Sequence, residues 1–109
     1  MTNAEKLALI KAQLHISDDS LDTELNAYLT MAEHEILAWY YTNKGGVPGN
    51  VTSVPFKYEI TQIQAVIAGF THSGAEGEKI HNENGINRTF VYEGMVAYIR
   101  ANVYPLAGV

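Results

Sequence analysis

The chain predicts a mainly α fold: a small bundle of three to four helices, with a β-hairpin projecting between the third and last helices. Three observations predict it. Leu21, Leu25, Tyr28, Leu29, Ala32, Ile36 and Tyr40 recur at steps of three and four, while Asp22, Glu24, Asn26, Glu33 and Glu35 fall largely on the other side. A second stripe of the same period runs through Phe56, Ile60, Ile63, Val66, Ile67 and Phe70. Residues 74–90 then break the pattern with Gly74, Gly77, Gly85 and many short polar side chains.

Taken in order, the first helix is expected at about residues 3–14, because Thr2 and Glu5 have the spacing of a capping box and Leu7, Ile10 and Leu14 follow at helical intervals. Ser17-Asp18-Asp19-Ser20 offers capping oxygens, and its carboxylates suit the positive end of a helix dipole, so the second helix is expected to start there. It ends in Trp39-Tyr40-Tyr41, read as core plus a packing edge. Gly45, Gly46, Pro48 and Gly49 make a connector, and Lys44-Gly45-Gly46 lacks the order and spacing of a phosphate loop. Pro55 suits a helical first turn, giving a third helix at about residues 55–72 that Ser73-Gly74 stops.

For the hairpin, Asn84-Gly85 favours a tight turn, residues 77–81 form one arm, and Thr89, Phe90, Val91 and Tyr92 carry strand preference in the other. Met95, Tyr98 and Ile99 indicate a short closing helix at residues 95–102, ended by Pro105 and followed by a tail. The expected core is Leu25, Leu29, Ile36, Ile60, Ile63 and Ile67.

A chain of 109 residues is the size of one domain, so residues 1–109 are read as a single unit with a modest core that a partner subunit can supplement. The balance of 12 acidic against 7 basic residues, a formal charge of -5, argues against tight grip on a phosphate backbone, which clustered Lys and Arg supply. Cysteine is absent, which removes disulfides and thiolate metal sites and suits a reducing compartment. No apolar run has the length of a signal peptide or of a membrane span, so the expected place of synthesis is the cytoplasm.

Four histidines invite a metal reading, but His15, His34, His72 and His81 show no i, i+4 pair, and no metal or other cofactor is expected. Glu76, Glu78 and Glu83 lie close in sequence, yet a glycine-rich projecting loop is a poor place to drive two carboxyl pKa values apart. They are read as solvated charges or intersubunit partners. No nucleophile elbow or Ser/His/Asp pattern stands out, and an enzyme is not expected.

Gly74-Ala75-Glu76-Gly77-Glu78, His81-Asn82-Glu83-Asn84-Gly85-Ile86 and Arg88-Thr89-Phe90, followed by an aromatic-rich helix and a Pro-containing tail, carry the most specific part of a resemblance, covering nearly the whole chain, to the small head-tail connector proteins of tailed bacteriophages. Leu9-Ile10-Lys11-Ala12-Gln13-Leu14, the acidic Ser17-Asp18-Asp19-Ser20 and a long helix holding Ala32-Glu33 are similar too.

The resemblance implies a structural virion protein, an adaptor or head-completion protein that attaches below the portal and is made in the cytoplasm of a host bacterium. It implies a cyclic ring of roughly twelve subunits closed by a heterologous interface, with the portal on one side and a tail-side completion or stopper protein on the other. DNA would pass through the channel without sequence-specific binding, and no membrane is involved. On this reading the hairpin, through Glu76, Gly77, Glu78, Ile80, Glu83, Asn84, Gly85 and Arg88, meets a neighbouring subunit or the next ring. Tyr104, Pro105 and Leu106 become the portal-docking segment by analogy. The rival is a small phage DNA-packaging or regulatory protein that binds DNA directly, against which helix three carries Lys57 as its single basic residue.

Overall fold

The computed structural model describes residues 1–72 and 88–107. Among them are four helices, α1 (Asn3–Leu14), α2 (Asp22–Tyr40), α3 (Glu59–His72) and α4 (Arg88–Asn102), with single 3-10 turns at Thr42–Lys44 and Phe56–Tyr58 and no strand. The first helix has the expected bounds. Thr2 accepts from the Glu5 N–H at 3.1 Å and its own N–H donates to Glu5 Oε1 at 2.7 Å, a closed capping box. At the other end His15 takes the left-handed conformation, with φ 59, and the following N–H of Ile16 reaches the Lys11 carbonyl.

The second helix starts later than its polar preface suggests. Its N-cap is Leu21, whose aliphatic side chain can make no cap, and the acidic residues before it are engaged elsewhere. Asp18 Oδ1 accepts from the N–H and hydroxyl of Ser20, and Lys11 Nζ lies 2.9 Å from Asp19 and 2.8 Å from Asp22. The linker thus fastens α1 to the start of α2 instead of capping it. These carboxylates raise the Lys11 pKa, Asp22 most strongly.

The core joins all four helices. Leu25, Leu29, Ile36 and Ile63 are buried as expected, with Ile10, Val66, Phe70, Val91, Met95, Ile99 and Val103 around them, and Ile67 packs half-buried against this cluster. Ile60 is a correction: it is 53% exposed. The third helix does not begin as an α-helix at Pro55, since a 3-10 turn occupies Phe56–Tyr58, and its buried line passes through Glu59, Gln62, Ile63, Val66 and Phe70. Phe56 and Ile60, four residues apart, share the outer side.

Gln62 is the polar residue that this line conceals. Lys6, 3% exposed, donates from Nζ to Gln62 Oε1 at 2.6 Å, and Gln62 Nε2 donates to the Leu29 carbonyl at 2.8 Å. A single relay of polar atoms therefore crosses from α1 through α3 to α2, each partner satisfied inside the core.

The projecting β-hairpin is also corrected. Thr89, Phe90, Val91 and Tyr92, the expected second arm, belong to the first turns of α4, which begins at Arg88 and not near Met95. The remainder of the expected hairpin lies outside the described residues. Tertiary packing outweighs strand propensity here: Val91 continues through Met95 and Ile99 as a buried helical stripe against α3. Gly69 allows this approach, since a Cβ there would collide with the Val91 carbonyl and stand 2.7 Å from Met95 Cγ.

Candidate interaction surface

The far end of α2 is closed by aromatic rings. Tyr40 meets Tyr41 and Tyr58 edge to face, with centroids 5.1 and 5.5 Å away, and Lys57 Nζ stands 5.3 Å from the Tyr58 centroid and 5.5 Å from that of Tyr40. Arg100 lies over the Trp39 ring at 5.0 Å. The expectation of core plus edge describes this group: Tyr40 is buried, while Trp39 and Tyr41 are half-buried.

Residues 103–107 cross this end as a strap. Trp39 Nε1 donates to the Val103 carbonyl at 2.9 Å, the Tyr104 N–H to the Tyr58 hydroxyl at 3.1 Å, the Leu106 N–H to the Tyr40 carbonyl at 2.9 Å, and Asn43 Nδ2 to the Leu106 carbonyl at 3.3 Å. Four hydrogen bonds in four residues make the strap part of the fold. Of Tyr104, Pro105 and Leu106, the last two are half-buried, and Tyr104 alone turns its side chain outward, 76% exposed.

Phe56 (89% exposed) and Ile60 are the other large apolar side chains that this end of α3 leaves outside. The amino group of Met1 binds Glu59 Oε2 in the same segment at 3.0 Å. Large exposed apolar side chains are candidates for a contact surface. The sequence singles out Tyr104 by family likeness and places Phe56 and Ile60 in a buried stripe; the signal missed is Gln62, whose burial displaces that stripe.

A second feature lies further along α3. Ala68 with Glu93, Gly94, Ala97 and Tyr98 of α4 lines an apolar groove of about 530 Å³. The small side chains of Ala68, Gly94 and Ala97 leave it open. On the opposite flank Tyr92 donates its hydroxyl to Glu35 Oε2 at 2.7 Å, fixing the rotation of α4 on α2 and raising the Tyr92 pKa, chiefly through that hydrogen bond. Glu76, Gly77, Glu78, Ile80, Glu83, Asn84 and Gly85 lie outside the described residues, and Arg88 is the first residue of α4.

Among the described residues, four basic side chains are engaged within the fold. Lys6 is buried on Gln62, Lys11 is held by two aspartates, and Lys57 and Arg100 lie over aromatic rings. No described group of three or more His, Cys, Asp or Glu side chains is placed to hold a metal ion. Among the described residues no helix is long and apolar enough to cross a membrane.

A family model described as "Phage gp6-like head-tail connector protein" matches residues 4–102. The chain belongs to that family. Neither the search of curated proteins nor that of solved structures gave a match. For a phage head-tail connector the match spans all four helices and stops at the last residue of α4, just before the strap. The family is a structural one of the virion, in keeping with the mainly helical fold.

Proposed function

We propose that this connector assembles as a ring below the portal, extends the DNA channel and links capsid to tail. The observation that carries the proposal is the family match over residues 4–102. Three features support it. The chain is acidic overall, and carboxylates give DNA no counterion-release affinity, which suits a conduit through which DNA slides. Lys6, Lys11 and Arg100 are committed to internal contacts. Phe56, Ile60 and Tyr104 leave large apolar side chains exposed, as protein contacts do.

In this assembly the portal lies on one side and a tail-side completion protein on the other, with Tyr104 as the strap residue that faces the portal. The segment between α3 and α4, with Glu76, Glu78 and Glu83, is assigned to contact with a neighbour on the family resemblance. The test is co-sedimentation of the purified chain with DNA-filled heads that carry a portal but no tail, followed by electron microscopy of the vertex. A ring of added density at the portal vertex is expected. Absence of binding to such heads, or tight duplex binding with a steep salt slope, overturns the reading.

A further inference from the structure

We propose that Phe56 of one copy inserts into the α3/α4 groove of the next copy, with Lys57 directed to Glu93 on the groove's edge. The proposal rests on the ring reading above and names the contact that would build the ring. Both halves are on the page. Phe56 is 89% exposed at the start of α3, the most exposed large hydrophobic side chain described, and burying it would remove a large apolar area from water. The groove of about 530 Å³ has room for an aromatic ring because Ala68, Gly94 and Ala97 leave it open and Tyr98 gives it an aromatic wall.

Charge sets the orientation. Lys57 is exposed beside the knob and Glu93 is exposed beside the groove, so insertion of Phe56 brings an ammonium towards a carboxylate at the rim. Phe56 cannot reach the groove of its own chain, since Phe56 and Ala68 are twelve residues apart on one continuous helical run, roughly 18 Å at helical rise. The Phe56 that enters the groove therefore comes from another copy. A knob and a groove at separate places on one surface give head-to-tail contacts, which propagate until they close.

Because the chain has no cysteine, the contact can be read by crosslinking. The chain carrying both Lys57→Cys and Glu93→Cys, which gives up the rim pair but keeps Phe56 and the groove residues Ala68, Gly94, Ala97 and Tyr98, is treated with a short bis-maleimide. This is done at high concentration in solution and again bound to portal-bearing heads, with circular dichroism as the check on folding. A ladder extending beyond the dimer is expected in at least one of the two settings. It should disappear when Phe56→Ala is added, and either single-cysteine chain alone should give no ladder. In the cysteine-free chain, Lys57→Glu should weaken self-association about tenfold and Glu93→Lys added to it should restore most of the loss, the signature of a direct rim pair.

Dimers alone, or no crosslink in either setting, overturn the proposal. Head binding is scored separately by sedimentation. Bound chain without a ladder therefore sinks this contact and leaves the connector reading standing, whereas a ladder without head binding does the reverse.

Discussion

The indole N–H of Trp39 and the carbonyl of Val103, 64 residues apart in sequence, meet at 2.9 Å and hold the end of α2 to the chain that leaves α4. Arg100 covers the same indole, so the bond is sheltered from water on one face. Trp39→Phe keeps an aromatic ring but leaves the Val103 carbonyl without this donor. A loss of about 1 to 2 kcal/mol is expected from urea unfolding, with the slope unchanged.

At Gly69 the backbone of α3 lies against that of α4 with no room for a Cβ. Gly69→Ala must push α4 away from α3 or displace Met95, because the nearest obstacle is the Val91 backbone and not a flexible tip. We expect destabilisation of about 1 to 3 kcal/mol, read as a fall in Tm.

The relay from Lys6 through Gln62 to Leu29 should be strongly coupled. Gln62→Leu leaves the Lys6 ammonium buried without its acceptor and should cost about 2 to 3 kcal/mol. Lys6→Met with Gln62→Leu should recover most of it, since apolar groups of similar shape remove the unmet charge. A double-mutant cycle by thermal unfolding measures the difference. Additive losses would show that the two side chains do not depend on each other.

Tyr92 gives a pH signature. Its folded pKa is raised above the usual phenol value, first by the hydrogen bond to Glu35 and then by that carboxylate's charge. A group raised on folding contributes stability that is fully present below its unfolded pKa and is lost as pH rises through the folded one. The wild-type chain should therefore lose stability relative to Tyr92→Phe as pH climbs above about 10. Equal pH dependence of the two Tm values would remove the phenol from the account.

At the surface the expectation is reversed. Tyr104→Ala should leave stability within about 0.5 kcal/mol, because its strap bond is made by the backbone N–H and its ring is 76% exposed. Binding to portal-bearing heads should fall at least about tenfold, measured by sedimentation, as for an aromatic residue at a hot spot.

Much of this fold is legible in the residues themselves. The Thr2 and Glu5 box, the bounds of α1 and the buried stripe of α2 follow from local rules that tertiary structure does not override here. The failures share a cause. Ile60 and the start of α4 were read from propensity and apolar spacing, yet their placement is decided by partners distant in sequence: Lys6 draws Gln62 into the core, and α3 presents a glycine where α4 must come close. A buried glutamine beside Thr61 looks like a solvent-facing position until the lysine that meets it is known.

For the contact surface the position is similar. Tyr104 could be singled out from family likeness, but nothing local marks Phe56 as exposed, since its spacing from Ile60 and Ile63 is that of a core residue. The strap was read as a tail because its hydrogen bonds are mostly made by backbone groups, which sequence does not display. Only Trp39, Asn43 and Tyr58 supply side chains to it.

The Met1 amino group at the Glu59 carboxylate and the Tyr104 amide at the Tyr58 hydroxyl bring two stretches far apart in sequence onto adjacent residues. An affinity tag joined to the Met1 nitrogen turns that ammonium into an amide and so removes the ion pair with Glu59. Labels meant to follow assembly belong instead on the exposed side of α2, at His34 or Thr30, where they leave this contact intact.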